Sequence, residues 1–114
     1  MKKQNISTEN YLEKIPNREV KMYSFDNEGI VTLEIENRGI ANRIAQKLLK
    51  KPKTSYIHLD RFGSFVWSKI DGEKSIVEIG KDVEAKFGEE AKPLYERLAK
   101  FFEILKSYNF ISFK

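Results

Sequence analysis

The side chains that could carry out chemistry are few in this chain. A single histidine, His58, lies in the middle of a short predicted strand, and there is no cysteine. A lone imidazole without thiolates or clustered carboxylates makes a poor metal site, and the sequence supports no Ser-His-Asp set around it. The six glycines stand singly or at turns, so no glycine-rich phosphate loop is present. We therefore expect a protein that is not an enzyme and that binds no metal ion or cofactor.

Apolar side chains in the C-terminal third follow a helical pattern that offers more than one apolar face. Between Lys92 and Tyr108 they recur at intervals of 4, 3, 4 and 3 residues, the period of a helix with one apolar face. This stripe consists of Leu94, Leu98, Phe101, Leu105 and Tyr108, and a shorter stripe beside it consists of Tyr95, Ala99 and Phe102. A helix with two adjacent apolar stripes contacts more than one neighbour or leaves one stripe open for a partner.

A short predicted strand at residues 55–59 is the second feature of a candidate binding site. At a sheet edge, its unpaired backbone N–H and C=O groups could pair with an added peptide strand. The side chains of that peptide would then lie against the stripe of Tyr95, Ala99 and Phe102. Taken residue by residue, the sequence favours the alternative that Tyr95 and Phe102 are core residues beneath a hairpin.

The first third of the chain predicts an arm and a hairpin. Residues 1–19 are polar and are expected to form a loose N-terminal arm. Strands at residues 20–25 and 30–36 flank a turn at residues 26–29 that contains Gly29. The second strand alternates apolar and polar side chains, which is typical of a sheet with one packed face and one wet face.

A cationic helix is predicted at residues 40–50, after the hairpin. Its apolar side chains recur at helical spacing, its polar face carries Arg43 and Lys47, and Pro52 ends it. The helix is either a solvated surface element, a patch for an acidic peptide, or a contact to nucleic acid or an anionic membrane.

Three further helices and a closing strand follow. Asp60 is a candidate N-cap for the first helix, and a capping box formed by Ser75 and Glu78 starts the second. The third helix has Pro93 in its first turn and Asn109 as a left-handed cap, and residues 110–113 form a strand. This order predicts an α+β fold of the winged helix-turn-helix type, a three-helix bundle with a small antiparallel sheet and one inserted helix. Residues 20–114 would form this single domain behind the arm.

Charge is distributed unevenly between the two halves of the chain. Residues 1–59 carry 11 Lys/Arg and 7 Asp/Glu, whereas residues 60–114 carry 10 of each, so the net charge of +4 lies upstream. The outward positions of the third helix mix both signs: Lys92, Glu96, Arg97, Lys100, Glu103 and Lys106. A DNA-reading helix usually presents an excess of Lys and Arg, so a DNA-binding winged helix is a disfavoured alternative. A structural or homodimerisation domain that uses the same apolar stripes is another alternative.

The cellular location of the protein can be inferred only from signals that the sequence lacks. No signal-peptide pattern and no apolar run of membrane-spanning length is present, so we expect a cytoplasmic protein without membrane contact.

Beyond these patterns, the second half of the chain resembles the PqqD family. The similarity rests on Leu59, Asp60, Gly63, Trp67, Ile70, Asp71, Gly72, Ser75, Ile76, Glu78, Ile79, Phe87, Leu98, Phe101, Phe102, Leu105, Phe110 and Ile111. The most specific part is the Trp-x-x-Ile-Asp-Gly element followed by a serine-capped helix. The resemblance implies a winged-helix fold of three strands and three helices. It also implies that the protein binds a ribosomal precursor or leader peptide for a modifying enzyme, often a radical-SAM protein.

The resemblance also implies where the peptide lies. In the family the peptide pairs with the third strand and contacts the third helix, which corresponds here to Tyr56, Ile57 and His58 and to Tyr95, Ala99 and Phe102. The chain departs from the family at Asp60, at Asn109 and in the inserted helix at residues 40–50, whose Arg43 or Lys47 we expect to contact acidic peptide residues. The peptide, the partner enzyme and the pathway product stay open.

Overall fold

The computed structural model describes residues 11–36 and 54–114, which contain five strands and three α-helices. The strands are β1 (Pro16–Arg18), β2 (Tyr23–Phe25), β3 (Val31–Glu36), β4 (Thr54–His58) and β5 (Ile111–Phe113). The helices are α1 (Arg61–Lys69), α2 (Ile76–Phe87) and α3 (Leu94–Ser107), with a 3₁₀ turn (Gly88–Ala91) between the last two. This content is the predicted α+β class. The predicted helix at residues 40–50, with Arg43 and Lys47, lies outside the described residues.

Strands β2, β3 and β4 form an antiparallel sheet in that order. The predicted hairpin is confirmed, since β2 pairs with β3 in the register Ser24↔Thr32. The alternation predicted for β3 is confirmed as well, because Val31 and Leu33 are fully buried while Thr32 and Glu34 are only partly covered. The sheet therefore has one face on the core, as its sequence pattern requires.

The second sheet joins the two ends of the described chain. β1 pairs antiparallel with β5 in the register Asn17↔Ser112, and the Lys114 N–H donates to the Ile15 carbonyl at 2.9 Å. Residues 16–18 belong to the segment predicted as a loose arm, so the last part of that arm is fixed in a sheet. Pro16 is buried there, which gives the pairing an apolar contact in addition to its backbone bonds.

A side chain from β1 ties this small sheet to α1. The Arg18 guanidinium donates to the Trp67 carbonyl at 2.8 Å, in the last turn of α1, where a cation is favoured by the helix dipole. The guanidinium carbon also lies 5.0 Å from the ring centre of Tyr23 and 5.7 Å from that of Trp67. One residue therefore connects β1, β2 and α1.

Local capping signals set the helix starts. The Asp60 carboxylate accepts from the Gly63 N–H at 2.7 Å, which confirms it as the N-cap of α1. The Ser75 hydroxyl accepts from the Glu78 N–H at 3.2 Å while the Glu78 carboxylate accepts from the Ser75 N–H at 2.8 Å, so the predicted capping box is confirmed. Asn109 follows α3 with φ of 63°, as predicted for a left-handed cap.

The Trp-x-x-Ile-Asp-Gly element forms the corner between α1 and α2. Trp67 and Ile70 are buried in the core, and the Asp71 carboxylate accepts from the backbone N–H groups of Lys74 and Glu73 at 2.9 Å each. These bonds, that of Lys74 most, hold the pKa of Asp71 below its usual value. Gly72 has φ of +80°, and a Cβ there would lie 2.8 Å from the Asn17 side-chain oxygen of β1. Each member of the motif therefore has a structural role.

A single apolar cluster lies between the helices and the inner faces of both sheets. It consists of Val20, Val31, Leu33, Val66, Trp67, Ile70, Ile76, Ile79, Val83, Ala91, Leu98, Phe102, Leu105, Phe110 and Ile111. Of the helices in residues 11–36 and 54–114, none has the length and apolar character to cross a membrane.

Candidate functional site

The outer edge of β4 is the first component of the site. β4 is the last strand of its sheet, and among the described residues no strand pairs with its other side. Residues of an antiparallel pair alternate between those that bond across the pair and those whose backbone groups face away. The Leu59 N–H donates to the Val31 carbonyl at 3.0 Å, so Ile57, which is paired with Leu33, also bonds across. The backbone N–H and C=O of Tyr56 therefore face the open edge.

Buried Ser64 of α1 fixes the end of this strand. Its hydroxyl accepts from the Val31 N–H at 2.9 Å and donates to the Leu59 carbonyl at 3.2 Å. Val31 belongs to β3, Leu59 directly follows β4, and Ser64 is 1% exposed. One hydroxyl therefore satisfies two backbone groups and holds the edge strand against the helix that follows it.

A pocket of about 400 Å³ on the outer side of α3 is the second component. Its apolar lining comes from half-buried Phe62 and Phe101 and from Ile104, which is 45% exposed. The remaining lining residues are Asp60, Pro93, Glu96, Arg97 and Lys100. Since Asp60 lies two residues beyond β4, the pocket begins near the end of the open strand edge.

The position of Phe101 depends on Gly63. A Cβ on Gly63 would lie 2.9 Å from the Phe101 ring, so only glycine lets that ring lie directly against α1. There it meets the Phe62 ring edge-on, with 6.3 Å between ring centres. The Arg97 guanidinium lies over the other ring of this pair, 4.1 Å from the centre of Phe62, and donates to the Glu90 carbonyl at 2.7 Å. The pocket wall is therefore built from fixed rather than freely rotating side chains.

The predicted strand residues lie in the edge strand β4, and their side chains point to different faces of the sheet. Tyr56 is 61% exposed, and the His58 ring Nδ1 is 2.7 Å from the Thr32 hydroxyl on the outer face of the sheet. Ile57 points to the inner face, opposite Leu33, and is partly buried. His58 is thus part of a surface hydrogen bond, and the described residues contain no cluster of metal-ligating side chains.

The predicted helix residues are placed differently, and for Phe102 the structure agrees with the alternative that it is a core residue. Phe102 is fully buried, together with Leu98 and Leu105, and so belongs to the core rather than to a surface groove. Tyr95 is 36% exposed, but its ring lies against α2 at Gly80, and Ala99 is half-buried. Neither Tyr95 nor Ala99 lines the pocket.

The buried face of α3 is centred between the two expected stripes, because it takes Leu98 and Leu105 from one stripe and Phe102 from the other. Phe101, which the helical pattern places in the core stripe, is only half-buried and lines the pocket. Arg97 and Ile104 were also missed as site residues. Ile104 did carry a signal, because it is an apolar residue that belongs to neither stripe.

Comparison with known families supplies an independent finding. Residues 30–111, from the start of the hairpin's second strand into β5, match the family described as coenzyme PQQ synthesis protein D (PqqD). The comparisons with curated proteins and with solved structures gave no match. The family match covers most of the chain, including β4, all three helices and the pocket between them. The chain therefore belongs to the PqqD family, as its Trp-x-x-Ile-Asp-Gly corner and serine-capped second helix had suggested.

Proposed function

We propose that this protein is a non-catalytic peptide-binding module that holds a ribosomal precursor or leader peptide for a modifying enzyme. Its family, associated with the synthesis of coenzyme PQQ, supports an accessory role beside a radical-SAM or other peptide-modifying enzyme. A three-stranded antiparallel sheet followed by three helices is the order expected of a winged helix-turn-helix, the fold that we propose for residues 20–114.

The observation that carries the proposal is the open edge of β4 leading into the pocket on α3. An extended peptide could bond to the outward N–H and C=O groups at Tyr56 and place one side chain between Phe62, Phe101 and Ile104. Main-chain bonds would supply affinity that does not depend on sequence, and the pocket would supply selectivity. This arrangement keeps the predicted strand residues Tyr56, Ile57 and His58 and replaces buried Phe102 by its neighbour Phe101.

The basic segment between β3 and β4 supports an acidic peptide. Residues 37–53 contain six Lys or Arg and no Asp or Glu, and the chain passes from them directly into β4. Arg43 and Lys47 remain our proposed contacts for acidic peptide residues. At physiological ionic strength such charges act over about 8 Å, so they would assist a peptide that lies close to the strand edge.

Removing one backbone donor tests the proposed pairing. The variant Tyr56→Pro loses the outward N–H while the N–H of Ile57, which bonds to β3, is retained, and proline is tolerated at the outer side of an edge strand. We expect it to bind fluorescein-labelled candidate leader peptides, encoded beside the gene for this chain, about tenfold more weakly in fluorescence anisotropy.

The matched control is Tyr56→Thr, which removes the aromatic side chain and keeps the N–H. Thermal unfolding of both variants shows whether the sheet persists. A folded Tyr56→Pro variant that binds as tightly as the Tyr56→Thr variant would show that no peptide strand pairs with β4.

A further inference from the structure

Two cations at the rim of the pocket have no acidic partner within the described residues. Arg97 and Lys100 lie one turn apart on α3, and among residues 11–36 and 54–114 neither forms an ion pair. Arg97 uses one of its five N–H donors on the Glu90 carbonyl, and the Phe62 ring holds its guanidinium in place. Within the part of the chain that the structure describes, the other four donors of this positioned guanidinium have no hydrogen-bond partner, and they lie at the edge of an apolar pocket.

The two acids of the same pocket are placed near helix N-termini. The Asp60 carboxylate caps α1 by accepting from the Gly63 N–H at 2.7 Å. Glu96 lies in the first turn of α3, where the partial positive charge of the helix N-terminus attracts a carboxylate. The pocket lining therefore carries two acids, Asp60 and Glu96, as well as the two cations Arg97 and Lys100.

We propose that the pocket is selective for peptides in which an aliphatic or aromatic residue is followed or preceded closely by Asp or Glu. The apolar side chain enters the space between Phe62, Phe101 and Ile104, and the carboxylate pairs with Arg97 and Lys100. This inference rests on the proposed function and adds to it the chemical class of peptide that the pocket accepts.

The geometry explains why both halves of this peptide motif are needed. A guanidinium that already stacks on an aromatic ring has lost part of its hydration and is fixed in orientation, so a carboxylate can accept two parallel N–H bonds from it at little entropic cost. An apolar side chain alone would leave both cations unpaired, and a carboxylate alone would leave the two phenylalanine rings and Ile104 exposed.

A displayed library of random 12-residue peptides, selected on the full chain, tests the motif without knowledge of the natural ligand. Peptides that use both the edge of β4 and the pocket, here called groove-dependent peptides, are identified because they bind neither Tyr56→Pro nor Ile104→Asp. For these peptides we expect an Asp or Glu within two positions of an apolar residue. Replacing that residue by Asn or Gln in the peptide should weaken binding roughly tenfold, as for hydrogen bonds to charged groups.

A charge reversal on the protein gives the reciprocal test. Lys100→Glu should weaken the same peptides by at least as much, whereas Lys106→Glu, an exposed lysine of α3 outside the pocket, should not. Groove-dependent peptides without an acidic preference would overturn this inference and leave the proposed function standing. If no selected peptide depends on the Tyr56 N–H, the proposed function fails and this inference fails with it.

Discussion

The two apolar faces of α3 look alike in composition and differ in what lies opposite them. The inner face places Leu98, Phe102 and Leu105 against the core, where all three are 2% exposed or less. The outer face places the Phe101 ring against Gly63 of α1 and leaves Ile104 45% exposed in the pocket lining. The facing element, rather than the helix itself, decides which apolar side chains become core and which become a binding surface.

The comparison is tested most strongly by truncating the two adjacent phenylalanines. Phe102→Ala removes a fully buried ring and should lower the free energy of unfolding by about 3–5 kcal/mol, because the surrounding core cannot collapse into the cavity. Phe101→Ala removes a half-buried ring and should cost about 1–2 kcal/mol. Urea denaturation followed by far-UV circular dichroism measures both.

Peptide affinity should change in the opposite order. Phe101→Ala is expected to weaken binding to groove-dependent peptides, while folded Phe102→Ala at low temperature should bind nearly as the unmodified chain does. Equal losses of stability in the two variants would mean that α3 has no distinct inner and outer face.

The Ser64 hydrogen bonds that support the open strand edge give a second, smaller effect on the free energy of unfolding. Ser64→Ala leaves the fully buried Val31 N–H without its acceptor and should lower the free energy of unfolding by about 1–3 kcal/mol. Ser68→Ala is the matched control, since its hydroxyl bonds to the Phe65 carbonyl at the exposed side of the same helix, and it should change stability by less than about 0.5 kcal/mol. A similar loss in both variants would assign no special role to the Ser64 bond.

Local rules account for the parts of the fold that the sequence predicted correctly. The Asp60 cap, the Ser75–Glu78 capping box and the left-handed Asn109 each depend on residues within four positions of one another, and the hairpin depends on a short turn between two neighbouring strands. The coarse α+β class follows from their order. Nothing local predicts that β1 pairs with β5, because Asn17 and Ser112 meet from opposite ends of the chain.

Local sequence patterns also predicted part of the candidate site. The open strand with Tyr56 was found, because strand length and alternation are visible in sequence. The half-buried position of Phe101 was not, because Phe101 and Phe102 differ by only 100° around the helix axis and each belongs to a plausible stripe. Their assignment depends on Gly63, which precedes them by almost forty residues and admits only the Phe101 ring.

A pair of exposed residues on opposite flanks of α3 separates the predicted and the observed contact surface. Ile104→Ala should weaken groove-dependent peptides about fivefold, since the lost apolar contact is worth roughly 1 kcal/mol. Tyr95→Ala, whose ring lies against α2, should leave the same affinity unchanged. Fluorescence anisotropy with one labelled peptide measures both variants, and a larger loss in Tyr95→Ala would return the site to the stripe predicted from sequence.

The smallest expected effect concerns Tyr11, whose hydroxyl interacts electrostatically with Glu103 of α3. Its hydroxyl is buried without a hydrogen-bond partner among the described residues, and burial, with a smaller contribution from the Glu103 carboxylate, raises the pKa of Tyr11 from 10.0 to about 12. The folded state therefore holds the phenol proton more tightly than the unfolded state does. This contribution to stability is complete below pH 10 and is lost as the pH rises from 10 through 12.

Tyr11→Phe removes both the titration and the unpaired hydroxyl while it keeps the ring that packs edge-on against Phe113 at 5.5 Å. At pH 8 we expect unchanged or slightly increased stability, since a buried hydroxyl without a partner contributes nothing favourable. Between pH 10 and 12 the unmodified chain should lose stability relative to the variant, as measured by thermal unfolding in parallel buffers. Curves that stay parallel over this range would show that the Tyr11 hydroxyl reaches solvent in the folded state.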